Sequence, residues 1–306
     1  MPFTPEHLWA ALRMKGMRVR GGFLDLADGG QIAYDEYGDA AGVPVIFCHG
    51  WPSSRSMAQL TDAAARKLGV RIISPDRPGI NGSTFRPNRT LAEWPKVMRR
   101  LATKLSLGRF RVLAVSGGAP YAYVSAWAMP ERIVSTAVVS GVPPISELPN
   151  HAGLLRLYRW MLAVHAKEPA LARKLFSVAR PFASFQPPIR LRPLLLKLLP
   201  PGDADVLRDS AAFESCFESA RCAWRGSAAG VMADGEIYSQ PWGFPLEEIR
   251  VPVHLWHGTK DRTFSYKYSE ELSERLPNCR LNIVENAGHY SLPIRYMDRI
   301  LAALVA

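Results

Sequence analysis

The stretch RVLAVSGGAPYA, residues 111–122, decides how the rest of the sequence is interpreted. It begins as an apolar run of the kind that forms a buried strand, and it continues as an uncharged segment of helical composition. Between the two parts, only Ser116, Gly117 and Gly118 are available to turn the chain. So abrupt a turn holds its central residue in a strained conformation and exposes that side chain at the end of a sheet.

Small residues flank Ser116 at the two positions where the strand and the helix nearly touch. Ala114 stands two residues before it and Gly118 two residues after it. The arrangement matches the nucleophile elbow G-x-S-x-G, with alanine in place of the first glycine. An ordinary strand-to-helix turn is the alternative for this motif taken by itself. We predict that Ser116 is the nucleophile of such an elbow.

A serine hydroxyl becomes a good nucleophile when a base removes its proton, and the usual base is a histidine held by a carboxylate. His289 lies in ENAGHYSLP, directly after the last predicted strand, where a loop can bring it over the elbow. Asp261 follows the preceding strand in VPVHLWHGTKDRTFS. Glu147, which follows an earlier strand, is the rival carboxylate. We expect Asp261 to be the acid because Glu147 lies at the entrance to an inserted segment.

The negative charge that develops on an attacked carbonyl needs two backbone N–H groups directed at it. Gly117 follows the predicted nucleophile and supplies one of them. The segment IFCHGWPSS, which follows an early strand, supplies the other, and Trp51 is the candidate. We therefore predict an oxyanion hole formed by Trp51 and Gly117.

Other conspicuous residues have simpler interpretations. His49 precedes a glycine in the predicted oxyanion loop and is expected to brace that loop rather than to act as a base. The turn Asp76–Gly79 is expected to be structural and to lie beside the site. Asp234 and Glu147 are expected to be acids of the surface or of a hinge.

Strands and helices alternate along most of the chain, and the strands are continuous apolar runs. Such runs are typical of strands buried on both faces, so the pattern predicts an α/β fold with a mainly parallel sheet between helices. A turn at Ala27–Gly30 predicts a hairpin near the start. The predicted strands cover residues 17–26, 31–37, 43–48, 70–74, 110–115, 133–140, 251–256 and 280–284. Helices are predicted from Thr4 to Gly16, after Ser53, after Thr90, from the elbow to Met129, near 266–276 and from Ser291.

The alternation stops in the second third of the chain, where leucine, arginine and proline are frequent. The pattern predicts a helical cap at residues 143–243, inserted into a core formed by residues 1–142 and 244–306. Residues 151–200 hold nine Lys and Arg against one acidic residue, so that +8 of the total net charge of +11 lies there. Such a run usually is the solvated face of helices that bury their leucines, and attraction of anionic partners is the alternative.

The composition excludes several classes of protein. Of the 306 residues, 48% are hydrophobic and 21% are charged, which is typical of a globular chain and not of a disordered or fibrous one. Four cysteines are too few for a disulfide framework, and the N-terminal residues lack the apolar segment of a secretory signal, so we expect a cytoplasmic protein. No metal-binding spacing occurs, and His254 and His257 point to opposite faces of a strand. We predict no metal and no cofactor.

The motifs together resemble those of α/β-hydrolase fold proteins that carry a helical cap. The matching segments are HGWP, SPDRPGINGS, AVSGGAPYA, the run from PWGF to HGTKD, and ENAGHYSLP, which extend from Val43 to Tyr290. The chain order Ser116, Asp261, His289 is the order of that family and not of other triad folds. The resemblance implies that these three residues are nucleophile, acid and base. Family members that hydrolyse epoxides or remove halides have aspartate at the elbow, so the serine places this sequence outside that chemistry.

The main hypothesis is therefore a serine hydrolase that cleaves a carboxylic ester or related acyl compound through an acyl-enzyme. The same residues would serve a perhydrolase, in which peroxide is the acceptor, or a hydrolase of a carbon–carbon bond next to a carbonyl. A small-molecule receptor of this fold with very slow turnover is an alternative of a different class. A basic cap without a nucleic-acid-binding module does not favour a nucleic-acid partner. Weak contact between the cap and an anionic membrane surface is a further hypothesis.

The substrate is expected to be a small apolar acyl compound, because the cap and the oxyanion loop are rich in aromatic residues. The alternative is that these side chains form the core of the cap itself. The residues concerned are Trp51, Tyr158, Trp160, Met161, Phe176, Phe182 and Phe185.

Overall fold

The computed structural model describes residues 20–186, 189–226 and 228–306. The predicted helix from Thr4 to Gly16 and the first residues of the first predicted strand lie outside the described residues. Each of the other predicted strands is present, with ends that differ by up to two residues from the prediction.

The described residues contain eight strands, which form one sheet. The strands are β1 (Arg20–Asp25), β2 (Gln31–Gly38), β3 (Val43–Cys48), β4 (Val70–Pro75), β5 (Phe110–Val115), β6 (Ile133–Val139), β7 (Val253–Gly258) and β8 (Cys279–Val284). Their order in the sheet is β1-β2-β4-β3-β5-β6-β7-β8. β2 is antiparallel to both β1 and β4, and the other neighbours are parallel. The predicted hairpin and the mainly parallel sheet are thereby confirmed.

Helices flank this sheet, and a further group of helices lies in the chain segment that connects β6 to β7. Within the described residues, the α-helices are α1 (Asp62–Lys67), α2 (Trp94–Lys104), α3 (Ala119–Ala128), α4 (Arg156–Lys167), α5 (Pro169–Ala183), α6 (Arg192–Leu196), α7 (Pro201–Val206), α8 (Ser210–Gly226), α9 (Ala228–Ser239), α10 (Lys267–Arg275) and α11 (Ser291–Val305). Short 3-10 helices cover Arg55–Thr61, Leu91–Glu93, Ser116–Gly118, Ile145–Glu147, Ile189–Leu191 and Leu246–Glu248. Helices α4 to α9 fall within residues 143–243, and we call them the cap helices. None of the described helices is both long and apolar enough to cross a bilayer.

The central strands are buried on both faces because helices cover each side of the sheet. Successive side chains of a strand point to opposite faces. In β3, Ile46 and Cys48 belong to the apolar core shared with α2 and α3, whereas Val45 and Phe47 belong to the core shared with α1 and α11. This two-sided burial explains why the strands appear in the sequence as continuous apolar runs.

The cap helices join the core through two smaller apolar clusters. Leu207 and Phe213 pack with Tyr290 at the start of α11. On the other side, Trp224 of α8 packs with Ile80, which follows β4. A further contact is made by Ile237 and Tyr238 of α9, which belong to the main apolar core.

The turn between β5 and α3 crosses the end of β3 so closely that glycine is needed at position 118. A Cβ atom there would lie far closer to the Cys48 carbonyl oxygen than van der Waals contact allows, and it would be 3.1 Å from the Cys48 Cβ. Cys48 is paired with Ala114 in the parallel ladder of β3 and β5. Because backbone hydrogen bonds hold both strands, neither can move aside for a larger residue.

We predict that Gly118→Ala lowers the free energy of unfolding by about 3 kcal/mol or more, because the added methyl group meets fixed backbone. Urea unfolding followed by circular dichroism measures the loss. Gly108→Ala is the matched control, since a Cβ atom at Gly108 has no heavy atom within 4 Å. The control should match the unsubstituted protein within about 0.5 kcal/mol. Equal stability of the two variants would contradict the close crossing.

Candidate active site

Ser116 occupies the strained position of the turn between β5 and α3. Its φ angle is +53°, in the left-handed region that side chains other than glycine rarely adopt. Such a conformation costs about 1–3 kcal/mol and persists because the surroundings enforce it. Here the backbone carbonyl of Ser116 accepts a hydrogen bond of 3.1 Å from the Val142 N–H. The turn therefore has the geometry that the elbow motif predicts.

The structure brings the three predicted triad residues together. The Nδ1–H of His289 donates to Oδ2 of Asp261 over 2.8 Å. This leaves Nε2 of His289 as an acceptor, and it lies 3.0 Å from Oγ of Ser116. Asp261 is held in turn, because its Oδ1 accepts from the backbone N–H groups of Thr263 (2.7 Å) and Phe264 (3.1 Å). The result is a continuous hydrogen-bonded chain from carboxylate to hydroxyl.

The charges of this chain reinforce each other. Burial opposes the ionisation of Asp261, but the adjacent His289 and His257 outweigh burial and hold the pKa of the carboxyl well below its usual value. Burial likewise opposes a charged His289, yet the neighbouring Asp261 raises the pKa of the imidazole above its ordinary value. Asp261 is thus an anion that favours an imidazolium at His289, which is what a base near a serine requires.

His257 is a second partner of the same carboxylate, and sequence analysis assigned no role to it. Its Nε2 lies 3.3 Å from Oδ2 of Asp261 and 3.0 Å from the carbonyl oxygen of Phe264. Its Nδ1 lies 2.7 Å from Oγ of Ser269. His257 therefore contacts the same oxygen of Asp261 as His289 does. The only sequence signal was its spacing of four residues from Asp261 in HGTKD.

Glu147, the rival carboxylate, lies away from this chain. It is partly exposed and forms an ion pair of 2.7 Å with Arg275 of α10. This agrees with its interpretation as a surface acid. Within the described residues, no group of three His, Cys, Asp or Glu side chains is arranged to hold a metal ion.

Trp51 and Gly117 lie side by side next to Ser116. A Cβ atom built on Gly117 would be 3.1 Å from the backbone nitrogen of Trp51 and 2.7 Å from its Cβ. The indole of Trp51 is fixed by the cap, since its Nε1–H donates to the carbonyl oxygen of Val231 over 2.8 Å. Its ring also makes an edge contact with Tyr238 at 5.9 Å between centroids. The two backbone amides are thus neighbours in a packed corner of the site.

Arg77 holds the loop that carries Trp51. Its guanidinium donates to the carbonyl oxygens of His49 (2.6 Å) and Gly50 (2.7 Å). The backbone N–H of Arg77 also donates to Nε2 of His49 over 3.4 Å. His49 is therefore a brace of this loop, as predicted. The turn Asp76–Gly79 supplies the arginine that fixes the loop.

The prediction that Asp234 is a surface or hinge acid is wrong. Asp234 projects from α9 and is 0% exposed, because it accepts hydrogen bonds from Arg77 (2.8 Å), Tyr121 (2.7 Å) and Arg89. Burial favours the neutral acid, but the two guanidinium groups outweigh burial and lower the pKa of Asp234 to about 2. These partners are more than 110 residues away in sequence, so local patterns could not reveal them.

Asp203 is a second cap carboxylate that sequence analysis missed. It lies in α7, is 1% exposed, and accepts hydrogen bonds from three successive backbone N–H groups at the start of α11. These belong to His289 (3.1 Å), Tyr290 (3.1 Å) and Ser291 (2.8 Å). A Cβ atom at Gly288 would clash with the carboxylate, so glycine before the histidine permits the approach. Asp203 thereby caps α11 from outside that helix and holds the backbone of His289.

Ser116 lies where two cavities meet. One has a volume of about 70 Å³ and is lined by Gly117 and by mainly apolar side chains, among them Ile145, Met161 and Phe176. The other has a volume of about 450 Å³ and is lined by His289. Ser116 lines both cavities.

The seven side chains that were expected to line a pocket or to form the core of the cap divide into two groups, and all but Met161 are aromatic. Trp51, Tyr158, Met161 and Phe176 line the smaller cavity. The other three are exposed to solvent instead of being buried in either place: Trp160, Phe182 and Phe185. The prediction of an apolar pocket thus holds for just over half of the set.

The model of the Alpha/beta hydrolase family matches residues 45–303 of this chain. The chain therefore belongs to the α/β hydrolase family, which confirms the resemblance found in its motifs. The family provides the fold and the class of enzyme, and it leaves the reaction and its substrate open.

Individual relatives include both peroxidases and esterases. A segment of 127 residues, 40% of this chain, is 31% identical to a non-heme chloroperoxidase from Streptomyces lividans and spans 46% of that protein's length. In fold, the chain is similar to a bromoperoxidase from Bacillus anthracis, with a TM-score of 0.67, 19% identity, and coverage of 94% of this chain and 99% of the other. It is also similar to naproxen esterase (carboxylesterase NP) from Bacillus subtilis, with a TM-score of 0.68, 16% identity and full coverage of both chains.

We predict that Asp203→Ala lowers the free energy of unfolding by about 2 kcal/mol or more, because it removes the acceptor of three N–H groups at a helix start. Asp205→Ala is the matched control. Asp205 lies in the same helix, but its carboxylate is exposed and pairs with Arg208 and Arg295 at the surface. An exposed pair contributes about 0–1 kcal/mol. Urea unfolding measures both variants, and equal losses would show that Asp203 does not hold α11.

Proposed function

We propose that this protein is a serine hydrolase that cleaves a carboxylic ester or related acyl compound, with Ser116 as nucleophile, His289 as base and Asp261 as the acid of the triad. The observation that carries the proposal is the hydrogen-bonded chain from Asp261 through His289 to Ser116, with separations of 2.8 Å and 3.0 Å. A carboxylate, an imidazole and a hydroxyl in this order are the parts that activate a serine.

The reaction would proceed in two halves. In the first, Oγ of Ser116 attacks the carbonyl carbon while Nε2 of His289 takes the hydroxyl proton, and the N–H groups of Trp51 and Gly117 donate to the oxyanion. The C–O bond to the leaving alcohol then breaks as His289 returns the proton to that oxygen. In the second half, His289 activates a water that attacks the acyl-enzyme and releases the acid and the free serine. Asp261 keeps the imidazole in the required tautomer throughout.

The two cavities favour one orientation of the substrate. His289 must reach the leaving oxygen, and it lines the larger cavity, so we place the leaving group there. The acyl group then occupies the smaller cavity beside Gly117. The lining of the smaller cavity is mainly apolar, which favours an apolar acyl group there.

A perhydrolase is the second candidate, and the similarity to the two peroxidases favours it. In that reaction, hydrogen peroxide takes the place of water in the second half. A peroxide oxygen bonds to the acyl carbon, the bond to Ser116 breaks, and His289 transfers the peroxide proton to the serine oxygen. The products are a peracid and free enzyme. The amounts of peracid and of carboxylic acid formed from the same ester distinguish a perhydrolase from an ester hydrolase.

We expect Ser116→Ala to lower kcat/KM on p-nitrophenyl acetate by about 10³-fold or more, because the acyl-enzyme can no longer form. The variant should also lose covalent labelling by a fluorophosphonate, measured by intact-protein mass spectrometry. Ser125→Ala is the control, since Ser125 lies in the same helix α3 and its hydroxyl donates only to the carbonyl oxygen of Tyr121, over 2.7 Å. Labelling that persists in Ser116→Ala would refute the proposed nucleophile.

The activity should rise with pH through the titration of His289, since the base must be neutral to accept the serine proton. Asp261 raises the pKa of His289, so the midpoint should lie above the ordinary value for histidine. Asp261→Asn removes the negative charge, and we expect the midpoint to move to lower pH while the plateau rate falls about 10³-fold or more.

Glu147→Gln is the control for this profile, because Glu147 pairs with Arg275 at the surface. It should leave both the midpoint and the plateau unchanged. If the pH profile shifts in Glu147→Gln and stays in place in Asp261→Asn, the acid of the triad is Glu147 and the assignment to Asp261 is wrong.

A further inference from the structure

The exposed apolar side chains of this protein are concentrated on part of the cap. Among the described residues, ten large apolar side chains are exposed, and nine of them lie between residues 157 and 198. Two of these, Phe182 and Leu198, are 79% and 80% exposed. Single exposed apolar residues are ordinary, whereas a concentration of them marks a surface that binds something.

The exposed residues follow the helical period. Leu171, Val178 and Phe182 are seven and four residues apart in α5, so they share one side of that helix. In α4, Leu157 and Trp160 are three residues apart and are both exposed. We call the exposed apolar side chains of residues 157–198 the outer cap face.

Other side chains of these two helices are apolar as well, and they line the cavity beside Ser116. Tyr158 and Met161 of α4, and Phe176 of α5, contribute to that cavity. The cap therefore does not simply bury its leucines and solvate its arginines. Leu157, Leu171 and others of the Leu-rich runs remain outside, among the basic residues.

The basic residues of this segment are largely without acidic partners. Of the nine Lys and Arg in residues 151–200, Arg173 is the one with a carboxylate within 4 Å among the described residues. Exposed members such as Arg159, Lys167 and Lys174 flank the apolar side chains of α4 and α5. The outer cap face thus combines apolar side chains with an excess of positive charge.

The positive charge of the outer cap face favours one of two binding partners, a second copy of the chain or a lipid surface. A second copy of the chain would place the same positive surface against itself in a twofold contact, and like charges would oppose that pairing. An anionic lipid surface offers negative headgroups to the basic residues and an acyl boundary to Trp160, Phe182 and Leu198. We propose that the outer cap face binds reversibly to anionic bilayer surfaces, with the apolar side chains inserted at the interface.

Co-sedimentation with vesicles tests this binding without reference to catalysis. Full-length protein should bind vesicles of phosphatidylcholine mixed with phosphatidylglycerol, and it should bind pure phosphatidylcholine at least about tenfold more weakly. Binding should fade as salt rises, because the Debye length falls from ~10 Å at 0.1 M to ~3 Å at 1 M. Ser116→Ala should bind like the unsubstituted chain, so that failure of the proposed chemistry and failure of this binding are distinguishable.

A charge-matched pair of variants locates the surface. Lys167→Glu with Lys174→Glu should weaken binding to the anionic vesicles by at least about tenfold. Lys96→Glu with Lys104→Glu makes the same charge change at exposed positions of α2 in the core, and it should retain most of the binding. Phe182→Ser should weaken binding at both salt concentrations, since it removes an inserted ring.

Several results would overturn the proposal. Equal binding to neutral and anionic vesicles, no binding to either, or equal losses in the two charge variants would each contradict an anionic lipid partner at the outer cap face. Sedimentation velocity provides the remaining check, because it measures whether the protein is a dimer. If the unsubstituted protein is a dimer and Phe182→Ser is a monomer, the outer cap face binds a second copy of the chain and the proposal is wrong.

Discussion

The close crossing of the turn after β5 over the end of β3 is the constraint on which the site depends. Gly118 packs against the Cys48 carbonyl, and this contact fixes where α3 starts and how Ser116 is oriented. The same crossing brings Gly117 against Trp51, because the oxyanion loop continues directly from β3. Parallel strands end at one edge of the sheet, so the loops after β7 and β8 carry Asp261 and His289 to the same place. The site is thus assembled from the loops that follow β3, β5, β7 and β8, and the close packing of the turn after β5 fixes the position of Ser116 among them.

The cap supplies two buried carboxylates that complete this arrangement from the other side. Asp203 holds the backbone of the loop that carries His289. Asp234 holds Arg77, which in turn holds the carbonyl oxygens of the loop that carries Trp51. The proposed base and one proposed oxyanion donor are therefore both positioned through residues of the cap. The cap is part of the framework of the site as well as a cover over it.

The sequence predicted the parts of the site that local patterns encode. Each of Ser116, Asp261 and His289 follows an apolar strand, and each lies in a short motif with its own physical reason. Asp203, Asp234 and His257 escaped prediction because their roles depend on partners that only the tertiary structure brings near. Asp234 in particular was expected to be an acid of the surface or of a hinge, yet it is the centre of a buried cluster with two arginines. The helical pattern of residues 143–243 likewise could not show which of their apolar side chains face inward.

The buried carboxylates that anchor the cap are unevenly distributed among its helices. Separating a buried carboxylate from its partner costs about 3–5 kcal/mol, so Asp203 in α7 and Asp234 in α9 hold those helices to the core. The α4–α5 pair is held by contacts of other kinds. Leu155 donates a backbone hydrogen bond of 2.9 Å to Thr263, and Arg180 donates to the carbonyl oxygens of Trp224 (3.2 Å) and Arg225 (2.9 Å). The rings of Tyr158 and Phe176 pack on Phe264 and Trp224, and Arg173 forms a partly exposed ion pair with Glu236. Displacing α4 and α5 would expose the apolar cavity beside Ser116 while leaving the supports of His289 and Arg77 in place. Helices α4 and α5 thus cover the cavity beside Ser116 without a buried carboxylate of their own to tie them to the core.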